Sequence, residues 1–194
     1  MANIAVVYHS GYGHTQRQAQ AVADGADAVL IAIDADGNLP EGAWEQLGQA
    51  DAIVFGSPTY MGGPSWQFKK FADASSKPWF SSAWKDKLFA GFTNSASTIG
   101  DKTATLNYFM TLAMQHGGVW VGTGMLPSNS KAATRNDLNW LGIWKGAASV
   151  SPSDASPNEM FEGDLKFARE FGKRVAQTAS RWVGGTQRAR HGRR

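Results

Sequence analysis

Short apolar runs alternate with helical patterns along nearly the whole chain, and this alternation constrains the fold more than any other feature. The stretches "NIAVVYHS" (3–10), "AVLIAID" (28–34), "DAIVFGS" (51–57), "KLFAGFTN" (87–94) and "GGVWVGTG" (117–124) read as strands. Between and after them, residues 15–26, 41–50, 65–76, 103–116 and 163–182 carry helix formers or apolar residues at helical spacing. Continuous apolar strands separated by helices call for a parallel sheet covered on both faces, an α/β, doubly wound arrangement of five strands. Ligands of such sheets bind beyond the carboxyl ends of the strands, so the loops that follow strands are the ones to inspect.

Three of those loops are polar and glycine-bearing. After the first strand come Ser10, Gly11, Tyr12, Gly13, His14 and Thr15, which lead straight into a helix. A helix N-terminus presents unpaired N–H groups and positive dipole, glycines permit close approach, and Ser10 and Thr15 add hydroxyls. The loop has no Lys, which excludes a nucleotide-triphosphatase phosphate loop. Gly11 and Gly13 match the first two glycines of a dinucleotide fingerprint, and Asp34 stands where its ribose-binding acid belongs. Gln16 occupies the third glycine's place, which favours one terminal phosphate over a pyrophosphate. The second loop holds Pro58, Thr59, Tyr60, Met61 and Gly62, with Tyr60 and Met61 offering flat and polarisable surface. The third holds Asn94, Ser95, Ala96, Ser97, Thr98 and Gly100, a set of donors suited to a heteroaromatic edge. Together the loops frame a ligand with a phosphate at one end and a flat polar ring at the other.

With 194 residues and 42% apolar content, the chain is sized for one large domain. No apolar run reaches the roughly 18 residues that span a bilayer, and the N-terminus reads as a strand rather than a targeting segment. Cysteine is absent, which excludes disulfides, thiolate metal sites and a cysteine nucleophile. No His-Glu-x-x-His or Gly-x-Ser-x-Gly motif occurs, and no metal is expected. The net charge of +3 owes four charges to Arg188, Arg190, Arg193 and Arg194; without them 15 basic side chains face 16 acidic ones. The expected layout is therefore one domain over 1–184 and a basic, disordered tail over 185–194, in a cytoplasmic protein with neither nucleic acid nor a membrane as partner.

The motifs "YHSGYGHT", "FGSPTYMGG" and "QHGGVWVG" resemble the flavodoxin-like superfamily, in particular WrbA-type NAD(P)H:quinone oxidoreductases and their NADPH-dependent FMN reductase relatives. The similarity runs from Ile4 to about Val183. It implies strand order 2-1-3-4-5, FMN as cofactor and NADPH or NADH as electron donor. It further implies a quinone or similar acceptor and a homodimer or homotetramer. By the same resemblance residues 10–15 hold the phosphate and ribityl end, while Thr59, Tyr60 and Met61 and residues 94–100 meet the flavin. Trp79 is implied over the quinone and nicotinamide position, with Tyr12 as a second contact, and His116 at the flavin edge. The third loop, "NSASTIGDK", departs from the glycine-rich WrbA pattern. Two other readings stay open: a flavodoxin-type electron carrier, against which a near-neutral body counts, and a dinucleotide-binding dehydrogenase. Trp140 and Trp144 are open between a satellite cluster, a pocket wall and a subunit contact.

Overall fold

The computed structural model describes residues 2–191, with side chains through residue 185. The strands are β1 (Ile4–His9), β2 (Val29–Ile33), β3 (Ala52–Tyr60), β4 (Gly63–Pro64), β5 (Leu88–Ser95), β6 (Val119–Trp120) and β7 (Ala147–Val150). The helices are α1 (His14–Ala26), α2 (Ala43–Gln49), α3 (Trp66–Ala74), α4 (Ser76–Phe80), α5 (Lys102–Gln115) and α6 (Glu162–His191). The sheet runs β2-β1-β3-β5-β6, with β7 also on β5 and β4 on β3. All pairings are parallel except the short β3–β4 hairpin. The expected order is thus present over five positions.

The fifth position differs from the sequence reading. There β6 pairs with Leu88 and Phe89, while β7 pairs with Phe92 to Ser95, so two separated segments share one edge of β5. Only Val119 and Trp120 of the expected strand over 117–124 enter the sheet. The chain then leaves, and "AASV" completes the edge. Its small side chains suit a strand covered by both β5 and α6, and all four are buried.

Side-chain alternation divides the core in two. Ile4, Val6 and Tyr8 join Val22, Phe171 and Val175 under α1 and α6. Ala5 and Val7 join Ile53, Phe55, Phe68 and Phe109 under α2, α3 and α5. Helices α1 and α6 touch backbone to backbone: a Cβ on Gly25 would lie 2.0 Å from the Arg169 carbonyl, and one on Gly172 2.1 Å from that of Val22. Helix α6 is described to His191, within the 185–194 segment that the sequence reading made a basic, disordered tail. Arg193 and Arg194 lie outside the described residues.

Candidate functional site

The carboxyl ends of β1, β3, β5 and β7 open onto one cavity of about 600 Å³, within the size range of small-ligand and cofactor sites. At one end stands the start of α1. The Arg17 amide is the first to find an intrahelical acceptor, the Gly13 carbonyl at 3.0 Å. The amides of His14, Thr15 and Gln16 precede that first bond, and no side chain caps this helix end. Ser10 Oγ accepts from the Gly13 amide at 3.0 Å, leaving its own proton to donate. Gly13 has φ 88°, and a Cβ there would lie 2.7 Å from Pro157 Cγ. A Cβ on Gly11 would lie 2.7 Å from the Tyr60 hydroxyl. The turn is a cradle that side chains would fill.

The far walls come from β3 and β5. Pro58, Thr59 and Tyr60 line one side, and Asn94, Ser95 and Ala96 the other. Buried hydroxyls tie them together: Thr59 Oγ1 lies 2.8 Å from Thr93 Oγ1 and 2.7 Å from Thr105 Oγ1 on α5. Asn94 Oδ1 accepts from Ser149 at 2.8 Å and Ser151 at 3.0 Å, joining β5 to β7. Tyr12 and Tyr60 meet edge to face at 6.4 Å between ring centroids, and Tyr12 is 76% exposed. Burial, and secondarily Tyr12, pushes the Tyr60 phenol above its ordinary range, so it is a neutral donor at physiological pH.

A fourth wall escaped the sequence reading. Ser151, Pro152, Ser153, Ala155 and Pro157 close the cavity over the α1 turn. His14 Nε2 lies 2.8 Å from the Ala155 carbonyl; a carbonyl only accepts, so Nε2 holds the ring proton in this contact. The available signal was "SVSPSDASP", a hydroxyl-rich loop behind a short apolar run, the same pattern as the other three loops.

Not every expected residue reaches the cavity. Met61 is fully exposed at the tip of the β3–β4 hairpin beside Gly62, and Ser97 and Thr98 are exposed beyond the wall formed by Ser95 and Ala96. Gly100 sits behind that wall, where a Cβ would meet Ser95 Oγ. His116 and Trp79 lie elsewhere in this chain. Helix α5 starts at the cavity edge of the sheet and runs ~21 Å antiparallel to the strands, which carries His116 to the amino edge. There Ser75 Oγ donates to the Ala72 carbonyl at 2.6 Å and so accepts from His116 Nε2 at 2.9 Å. The His116 ring packs 4.5 Å from that of Trp84. Trp79 is beside it on α4, its indole N–H donating to the Gln115 carbonyl at 3.0 Å. Neither side chain enters its own chain's cavity. Trp140 belongs to a satellite cluster: the Arg135 guanidinium lies 5.3 Å from its ring and 4.3 Å from that of Phe161. Trp144 is 51% exposed and lies off the cavity wall. Asp34 does not face the cavity as a free acid: Oδ1 accepts from the amides of Asp36 at 2.9 Å and Asn38 at 2.7 Å.

Residues 34–133 match the family described as NADPH-dependent FMN reductase. Flavodoxin FldP of Pseudomonas aeruginosa is 54% identical over 177 residues, covering 91% of this chain and 96% of that protein. An NAD(P)H dehydrogenase (quinone) of Geobacter sulfurreducens is 32% identical, covering 94% of this chain and all of its own length. Among solved structures, a flavodoxin, WrbA-like protein from Agrobacterium tumefaciens superposes with a TM-score of 0.78 at 55% identity, covering 93% of this chain and 99% of that one. With the split parallel sheet and the cradle at the start of α1, these similarities show that the chain belongs to the flavodoxin-like, WrbA-type family of FMN-binding proteins.

Proposed function

We propose that the protein binds FMN in this cavity and, as a cytoplasmic oxidoreductase, passes electrons from NADPH or NADH to a quinone or similar small acceptor. The observation that carries this reading is a single cavity with an uncapped helix N-terminus at one end and two polar loops facing each other at the other. The amides of His14, Thr15 and Gln16, with the Ser10 and Thr15 hydroxyls, are donors for a terminal phosphate. Gly11 and Gly13 let the backbone approach it. Pro58, Thr59 and Tyr60 on one side and Asn94, Ser95 and Ala96 on the other are placed to hold the ring, with Ser97, Thr98 and Gly100 shaping the loop behind. FMN, when bound, supplies the electron-transfer chemistry, and the protein supplies orientation and an open face. Tyr12 and Tyr60 offer flat surface at the mouth, where donor and acceptor take turns, giving ping-pong kinetics.

The family description and the quinone dehydrogenase relatives support a reductase. The relative at 54% identity, named a flavodoxin, supports the second reading, an electron carrier with no small-molecule acceptor of its own. NADPH oxidation in the presence of a quinone, with and without added FMN, separates them: turnover that depends on both FMN and quinone is the expected result. The assembly is proposed to be a homodimer or homotetramer, supported by Trp66, Trp79 and Phe80, which are 60%, 48% and 81% exposed. In such an assembly the exposed Trp79 stands to meet a ring only across a subunit boundary, while His116 stays buried in its own chain.

A further inference from the structure

A buried lysine lies directly behind the loop that forms one cavity wall. Lys102, the first residue of α5, is 2% exposed. Its ammonium donates to the Ser97 carbonyl and, at 3.2 Å, to that of Thr98. Ser95 Oγ donates to the same Ser97 carbonyl at 3.3 Å. A Cβ on Gly100 would lie 2.2 Å from Ser95 Oγ and 3.2 Å from Lys102 Nζ, so the loop is wrapped tightly around the ammonium. In trans peptides the N–H points opposite to the C=O. The amides of Thr98 and Ile99 are therefore turned away from Lys102.

The charges around it come from three elements. Asp164 of α6, 4% exposed, takes a bidentate pair from Arg135 and accepts from the Val150 amide at 2.9 Å. Asp164 attracts the Lys102 ammonium and Arg135 opposes it. Arg135 comes from the excursion between β6 and β7. Its paired hydrogen bonds to Asp164 neutralise Arg135, whereas the Lys102 ammonium bonds, among the described residues, to the neutral carbonyls of Ser97 and Thr98.

We propose that Lys102 is a positioning residue for the flavin, pinning the 95–100 loop from behind and lending a fixed positive charge to the cavity wall that favours the reduced over the oxidised ring. This rests on the FMN reading above. Hydride transfer from NAD(P)H adds two electrons and one proton to the flavin and leaves NAD(P)+; at neutral pH the reduced ring carries one more negative charge than the oxidised ring. Ser97 adjoins the wall residue Ala96, so the ammonium lies within ~10 Å of the cavity. A unit charge at ~10 Å in an effective dielectric of ~20 changes an equilibrium constant roughly tenfold. Burial pushes the Lys102 pKa down to about 8, so the charge is present at neutral pH and is lost in mild alkali.

The test compares wild type, K102Q and K102R, each reconstituted with FMN. Oxidised FMN affinity is read by fluorescence quenching and the midpoint potential by anaerobic dye equilibration. K102Q is expected to bind oxidised FMN within about threefold of wild type and reduced FMN about tenfold more weakly relative to oxidised. That corresponds to a two-electron potential about 30 mV more negative. K102R is expected to restore the wild-type potential. A K102Q potential equal to wild type with FMN bound overturns the proposal while leaving the FMN reading standing. Failure of wild type to bind FMN overturns both. If K102Q does not fold, the wild-type potential against pH decides. Just above pH about 8, up to the higher pKa that the lysine has beside the reduced ring, reduction takes up a second proton, so the slope steepens there and relaxes beyond it; a straight line through that region overturns the proposal.

Discussion

Arg17 on the first turns of α1 donates to the Pro157 carbonyl at 2.9 Å and to Asn158 Oδ1 at 2.8 Å, joining two cavity walls that are 140 and 141 residues apart in sequence. With the His14–Ala155 contact it fixes the height of the post-β7 loop above the phosphate cradle. R17A is expected to release this loop, lowering FMN affinity by about tenfold while far-ultraviolet circular dichroism stays unchanged. Affinity within twofold of wild type would show that the post-β7 wall holds without it.

Gly13 is constrained twice, by a left-handed φ of 88° and by Pro157 Cγ at 2.7 Å from any Cβ. G13V is expected to close the cradle and weaken FMN binding by two orders of magnitude or more, measured by fluorescence quenching. Unchanged binding would mean that the phosphate sits elsewhere.

Trp79 and His116 lie at the amino edge, across the sheet from the cavity. W79A is expected to leave FMN affinity within about twofold of wild type, because the Trp79 indole N–H bonds to the Gln115 carbonyl and the described residues that line the cavity do not include it. Loss of FMN from W79A would contradict this placement. If the assembly brings a neighbour's Trp79 over the ring, the KM for quinone rises while FMN binding stays, and light scattering reports a dimer or tetramer.

His9 and His116 are buried, and burial holds both below the ordinary imidazole range. His116 already donates through Nε2, and its Nδ1 has no hydrogen-bond partner among the described residues. The unfolded chain therefore binds more protons than the folded one near and below pH 6.5, and stability rises with pH there. Their contribution is complete above about pH 6.5 and is lost as pH falls through the lower folded values. Urea denaturation between pH 5 and 8 is expected to show this loss, and H116N to reduce the slope. A flat profile in wild type would contradict the buried neutral state.

The Arg135–Asp164 pair closes the excursion between β6 and β7 onto α6, and Asp164 also holds the Val150 amide. D164A leaves a guanidinium and a buried amide without their acceptor, and is expected to cost about 3 kcal/mol, read from the urea midpoint. A cost below about 1 kcal/mol would make the excursion energetically separate from the sheet.

The first four sheet positions and three cavity walls were legible in the sequence because each is written locally, as an apolar run, then a polar turn, then a helix start. The fifth position was legible only in part: β6 lies within the run expected there, but β6 and β7 are two and four residues long and become one edge only by pairing with the two ends of β5. The post-β7 wall was missed for the same reason: its place over α1 depends on bonds from His14 and Arg17 across about 140 residues. His116 and Trp79 were expected near the ring by resemblance, while the direction of α5 sets them at the opposite edge of their own chain. Lys102, next to the third loop, gave no signal, because a lysine at a helix start reads as solvated until its burial is seen.

A flavin reductase cycles its bound FMN between two colours, and that cycle can be followed. Apoprotein reconstituted with FMN is mixed anaerobically with NADPH or NADH, and then with a quinone, while the visible flavin absorbance is followed. Bleaching by a nicotinamide nucleotide and recovery of colour on adding quinone, over repeated cycles, are expected. FMN that stays bound and coloured with both nucleotides would contradict a reductase and make the protein an electron carrier.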